Sequence, residues 1–389
     1  MEKEIIFKEK RKRPSDRGAV AATIITIACW LWMFLSGIAP FGELSEKCGF
    51  IGAEILTLAF VYFAFMTSII VHEAGHLIFG LISGYGFCSF RIFSFLFIKT
   101  EEGIRLKKYS IPGTAGQCLL MPPEKKKIKT PTILYNLGGS LLGVISFIGL
   151  MSIVKYVIDK PTLAVFVVCL ATANLSTALT NGIPLRTAAI NNDGMNIVSL
   201  LKDPDAIRNF QTHLLLNVES SKGVTVDEMP EEWFGMPRDE KLGNTMVATS
   251  AYLYCVRLFL LGKYDEARDK MEHLFEIDAA LIGLYRAQLL ADLAFIASIQ
   301  GDGREARRIL KEELPLYYPM MRGNLALLRS RYAYELLVKK SEKGAKRILI
   351  LMNMRLEKLK NYVFTRELER EKGFIEYVDS LYRARINNA

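Results

Sequence analysis

The sequence predicts a mainly α-helical protein: a polytopic membrane helix bundle of about four spans with a small membrane-surface β-hairpin, followed by a soluble α-helical repeat domain. Three observations lead there. The first half holds four long runs that are almost wholly apolar. Lys and Arg cluster at the ends of those runs instead of along one face. The second half is richer in charge, and a short helical pattern recurs in it.

Residues 1–17 read as a basic cytosolic tail with the run Lys10-Arg11-Lys12-Arg13. Gly18 to Pro40 carries no charge and is long enough to span a bilayer. A short polar loop with Glu43, Glu46 and Lys47 leads into the second span, residues 51–83, which is longer than a bilayer needs and must tilt or protrude. The loop from Gly84 to Thr130 is rich in Lys and Arg, including Lys125-Lys126-Lys127 and Lys129, which places it and the amino terminus in the cytosol. Its stretch Phe87 to Ile98 is aromatic and β-branched and too short for a helical span. It predicts one or two strands at the membrane surface, with Glu101-Glu102-Gly103 as the turn. Their edge could pair with an extended substrate, or the hairpin could be simply amphipathic.

Residues 132–158 and 161–183 are the third and fourth spans. Gly139-x-x-x-Gly143 and Gly80-x-x-x-Gly84 permit close helix packing. Four crossings leave both termini in the cytosol of an expected integral membrane protein, in a bacterial cell membrane. The net charge of +9 follows this topology, and no nucleic-acid partner is expected. The six cysteines are scattered without C-x-x-C spacing and read as free thiols. No cleavable signal peptide is expected, because the first apolar run is too long.

Within the second span lies His72-Glu73-Ala74-Gly75-His76. Residues four apart share a helix face, so the two imidazoles can be offered to one ion. Zinc suits nitrogen donors in a tetrahedron and can keep a position for water, whose pKa falls from about 15.7 to roughly 7. Glu73, one residue along, is placed to move the proton without being a ligand. Ionisable groups inside a span cost a few kcal/mol each and mark function. In the fourth span Asn174, Thr177 and Asn181 share a face turned to protein or water. Asn181-Gly-Ile-Pro184 then breaks the helix, and Asp193-Gly194 follows. Asp193 is the candidate third metal ligand; the alternative is a turn Asp at a domain junction. For Asp193 to reach the ion, residues 185–193 must fold back toward the bundle.

H-E-x-x-H in a transmembrane helix, followed by N-x-x-P and D-G near the end of another, resembles the site-2 protease family of intramembrane zinc metalloproteases. The resemblance covers residues 51–200. It implies that Zn2+ is bound by His72, His76 and Asp193, that Glu73 is the catalytic base, and that Asn181 positions the substrate or its developing oxyanion. The sequence departs from the family in a longer gap from Pro184 to Asp193 and in Asn192, where an apolar residue is usual. It departs also in Gly139-Ser-Leu-Leu-Gly143, where a G-P-x-x-N form is usual, and in having no insertion the size of a PDZ domain.

The metalloprotease core is thus expected over 18–202 and a linker with a helical extension over 203–245. A helical domain follows over 246–389. There Gly262-Lys-Tyr-Asp-Glu-Ala267, Gly301-Asp-Gly-Arg-Glu-Ala306 and Ser341-Glu-Lys-Gly-Ala345 recur with their alanines 39 residues apart. This resembles tetratricopeptide-type helical hairpins, at a period longer than the usual 34 or so. A protein partner on this domain is expected; a bundle that stabilises the core is the alternative. His213 and His273 read as packing or surface residues. The expected function is hydrolysis of peptide bonds in membrane proteins or peptides by a zinc endopeptidase. The alternatives are a non-catalytic membrane-anchored adaptor with a structural or vestigial zinc site, and short-peptide processing by the same residues.

Overall fold

The computed structural model of the protein describes residues 17–100, 102–108, 114–123, 129–187, 190–319, 321, 323–359 and 365–387. The basic runs at 10–13 and 125–127, and Glu101 of the expected turn, lie outside the described residues. The chain divides into two compact units between Ile207 and Arg208.

The first unit begins with α1 (Arg17–Leu35), α2 (Phe41–Cys48) and α3 (Phe50–Ile82). Four strands follow: β1 (Gly86–Ile92), β2 (Phe95–Thr100), β3 (Gly103–Lys108) and β4 (Gly116–Met121). Then come α4 (Lys129–Val157), α5 (Pro161–Gly182) and the short α6 (Asp193–Lys202). Helices α1, α3, α4 and α5 are long and apolar enough to cross a membrane. With 33 residues, α3 is about 50 Å long against a hydrocarbon core of about 30 Å. Side chains such as Ile24, Ile55, Leu58, Tyr62 and Ile148 point outward from these helices, an exterior as apolar as a core.

Helix α5 is the most enclosed of the four. Its small residues Ala164, Val168, Cys169, Ala171 and Ala173 are buried and let α1, α3 and α4 close around it. Its polar face turns to protein: Asn174 is buried, and the Thr177 hydroxyl lies 2.8 Å from that of Ser68 on α3.

The sheet is antiparallel in the order β3-β2-β1-β4, larger than the hairpin expected from the sequence. The run 87–98 makes both β1 and β2, reversing at Phe93 with φ +52°. No Gly, Asn or Pro marks that turn, which is why the run reads as continuous. On either side of Glu101, β2 and β3 pair from Thr100 and Gly103, where the Thr100 hydroxyl donates to the Gly103 carbonyl at 2.8 Å.

The helix α7 (Pro204–Ser221) leads to the second unit, which holds α8 (Thr245–Leu260), α9 (Tyr264–Glu276), α10 (Gly283–Gln300) and α11 (Gly303–Arg308). The remaining helices are α12 (Leu325–Ala333), α13 (Glu342–Leu359) and α14 (Thr365–Asn387). The recurring motif falls where α8 turns into α9, where α10 turns into α11, and just before α13. In each case its alanine (Ala267, Ala306, Ala345) is buried in the first turn of the following helix. Both isolated histidines lie here: His273 Nε2 is 3.0 Å from Asp239, and His213 packs edge-on to Tyr285.

Arg329 of α12 is 2% exposed and stacks on Phe259, Phe295 and Phe374 at 4.8, 5.1 and 4.6 Å from their ring centroids. Its guanidinium pairs with Asp292 and, at 2.7 Å, with Glu371. Burial raises the Asp292 carboxyl to about 6 although Arg329 opposes the shift. Arg329→Met leaves two buried carboxylates without a cation, and about 3–5 kcal/mol of stability should be lost. The folded-state pKa of these acids lies above the unfolded value, so their contribution falls as pH rises through it. The loss should therefore be larger at pH 8 than at pH 5. Denaturant titration followed by Trp233 fluorescence, with Trp30 and Trp32 replaced by Phe, measures it; equal losses at the two pH values would count against the account.

Candidate metal centre

Three donor atoms converge where α3, α4 and the start of α6 meet. His72 Nε2 lies 3.1 Å from His76 Nε2, and Asp193 Oδ2 is 3.1 Å from the first and 3.2 Å from the second. A tetrahedral ion with bonds of 2.0–2.1 Å holds its donors about 3.3 Å apart, so this triangle is nearly the right size. The two histidines are buried and Asp193 is half-buried.

The electrostatics favour a cation at the centre. His76 Nδ1 is 2.7 Å from the Tyr135 carbonyl, which can only accept, so Nδ1 carries the proton and Nε2 presents a lone pair. Asp193 Oδ2 is also an acceptor, and among the described residues it meets no hydrogen-bond donor beyond the two imidazoles. The His76 Nε2 and Asp193 Oδ2 lone pairs, 3.2 Å apart, repel unless a proton or a metal ion sits between them. The His72, His76 and Asp193 group could hold such an ion.

Close backbone approach lets the ligands meet. A Cβ added to Gly138 would come 2.5 Å from the Gly75 carbonyl oxygen, so at this crossing the backbones of α3 and α4 meet glycine to glycine. One residue on, a Cβ at Gly139 would lie 2.5 Å from His72 Nδ1 and 2.7 Å from His76 Nε2. Tyr135, on the next turn of α4, joins the helices to the sheet. Its hydroxyl donates to the Cys118 carbonyl at 2.6 Å, and its ring stacks on Tyr85 at 5.0 Å.

The return of the chain to Asp193 depends on Asn192, the N-cap of α6. Its Oδ1 accepts from the backbone N–H of Leu185 at 3.0 Å and of Met195 at 2.9 Å. Its Nδ2 donates to the carbonyls of Thr180 at 2.8 Å and Ile183 at 2.6 Å. One side chain therefore ties the end of α5, the intervening loop and the start of α6 together.

Glu73 is buried beside His72. The Asn181 amide donates to the Thr177 carbonyl, 2.9 Å away and one turn back. Sequence reasoning missed Tyr135, Gly138 and the structural part played by Asn192. Only Asn192 left a signal, as a polar residue where the resemblance leads one to expect an apolar one.

The fold and the site together define a mainly helical chain, four of its helices of membrane-spanning length, with a buried His-His-Asp group that could hold a metal ion. No family model, curated protein or solved structure matches the chain.

Proposed function

We propose that the chain is a membrane-embedded zinc metalloprotease that hydrolyses peptide bonds of membrane proteins or membrane-associated peptides. The observation that carries the reading is the His72, His76 and Asp193 triangle with a buried carboxylate, Glu73, next to it in the chain. A purely structural metal site has no use for that carboxylate, which weighs against a non-catalytic adaptor.

His72, His76 and Asp193 would hold a zinc ion, which would supply Lewis acidity and lower the pKa of water at the site. Glu73 takes a proton from the attacking water and returns it to the leaving amine. Asn181 uses one amide hydrogen on Thr177, which leaves its second for the substrate carbonyl or the oxyanion that develops there. The centre is buried among helices, so a peptide bond must be brought to it in a place with little bulk water. Purified wild type and Glu73→Gln should be incubated with a library of single-span substrates. Cleavage by the first and not the second is expected; equal cleavage would overturn the reading.

In the proposed topology four helices cross the bilayer and both termini are cytosolic. Cys48, which is exposed just before α3, should then react with an impermeant thiol reagent added outside intact cells, once the other cysteines are replaced. A carboxy-terminal reporter active only outside the cytosol would refute this arrangement. The helix pairs around Ala267, Ala306 and Ala345 are proposed to be tetratricopeptide-like hairpins that receive a protein partner.

A further inference from the structure

We propose that Gly116 and Arg91 are positioning residues for Glu73: the strand backbone at Gly116 forms a wall against the carboxylate, and Arg91 fixes that wall. The proposal rests on the hydrolytic reading for its catalytic consequence, though not for the geometry.

Gly116 opens β4, and its backbone lies directly against the Glu73 side chain. A Cβ added there would come 2.5 Å from both Cγ and Oε1 of Glu73 and 2.7 Å from Cδ. No side chain larger than hydrogen fits without moving the carboxylate. A free glutamate samples many rotamers, and a wall on one side removes some of them before substrate arrives.

The wall is itself held from two directions. Arg91 of β1 is wholly buried. Its Nη1 donates to the carbonyls of Phe93 at 2.8 Å and Thr114 at 3.3 Å. Its Nη2 donates to the Thr114 hydroxyl and to the Gly116 carbonyl at 3.0 Å. The planar guanidinium thus grips the chain on both sides of Ala115, a geometry that a lysine ammonium cannot reproduce. Further along β4, the Tyr135 hydroxyl fixes the Cys118 carbonyl. Arg91 and Glu73 are near enough for their charges to interact.

The test uses full-length protein and two independent readouts. The first is a cross-link. With Cys88 and Cys118 replaced by Ala, Glu73→Cys combined with Gly116→Cys should form a disulfide, which needs Cβ atoms about 3.5–4.5 Å apart. Glu73→Cys combined with Leu106→Cys should not. Peptide mass mapping reads both.

The second readout is kinetic. Gly116→Ala should keep its metal and its KM while kcat falls about 100-fold, the cost of misplacing a reacting group by about 1 Å. Arg91→Met should behave similarly, and Arg91→Lys should recover part of the loss. A folded double-cysteine protein that fails to cross-link overturns the proposal, as does a Gly116→Ala protein with unchanged kcat. Loss of the metal in Gly116→Ala also overturns it, because the residue would then support the fold and not the carboxylate. If the cross-link forms while wild type cleaves no substrate, the hydrolytic reading fails and the placement of Glu73 stands.

Discussion

On the proposed reading, protein carrying His72→Ala, His76→Ala or Asp193→Ala is expected to lose zinc binding, while Glu73→Gln keeps zinc binding and loses cleavage. The three ligand changes each remove one corner of a triangle whose edges are 3.1–3.2 Å. Two corners bind zinc far more weakly, by more than the roughly 10–100-fold that follows loss of a residue that only orients a ligand. Glu73→Gln keeps the shape that rests against Gly116 but cannot take up a proton. Its rate should fall by about 10²–10⁴-fold, the usual weight of general acid–base catalysis. Elemental analysis of purified protein, with cleavage measured on the same samples, separates the two classes. Full zinc retention in a His72→Ala, His76→Ala double variant would remove the basis for the site.

The second large effect is expected at Asn192. Replacing it with Leu, close to it in size, deletes two hydrogen bonds accepted and two donated by one side chain. The loop between Gly182 and Asp193 then loses the side-chain bonds that tie its return to the end of α5. Among the described residues other contacts survive, including the bridge between Arg186 and Asn191, the bonds between Thr187 and Ile190, and the backbone bond from the Asn192 N–H to the Leu185 carbonyl. These join residues of the loop to one another and do not reach α5. Zinc affinity should fall about 10–100-fold although no ligand is changed. Asn192→Asp keeps the two accepted bonds, loses the donated ones and should fall between wild type and Leu. Competition with a chromophoric chelator gives the affinities, and a Leu variant that binds zinc as wild type does would refute the role.

What the sequence disclosed and what it withheld divide along a physical line. His72 and His76 stand out because a helix fixes the relation between residues four apart. The four long helices stand out because a bilayer demands length and apolarity together. Asp193 can be singled out only because a helix break and a nearby Asp-Gly suggest a returning chain. Asn192 was visible as an oddity, yet its four bonds reach backbone groups that only the folded loop brings together. Gly75 meets Gly138, and Tyr135 meets His76, through packing between helices far apart in sequence. No periodicity records such contacts. The sheet was half legible: β1 and β2 have the aromatic and β-branched character of strands. All of β3 is exposed, so it offers no buried alternation to read, and the Phe93 reversal has no turn residue to announce it.

The cage around Arg329 bears on how the second unit comes apart. Arrays of stacked repeats usually contact only their immediate neighbours, so they can fray from an end and melt in stages. Here one guanidinium on α12 touches Phe259 on α8, Phe295 and Asp292 on α10, and Phe374 and Glu371 on α14. Pulling α14 away uncovers the same charge that α8 and α10 were shielding. The unit should therefore lose its structure in a single concerted transition, with amide hydrogens on all four helices exchanging through one common opening.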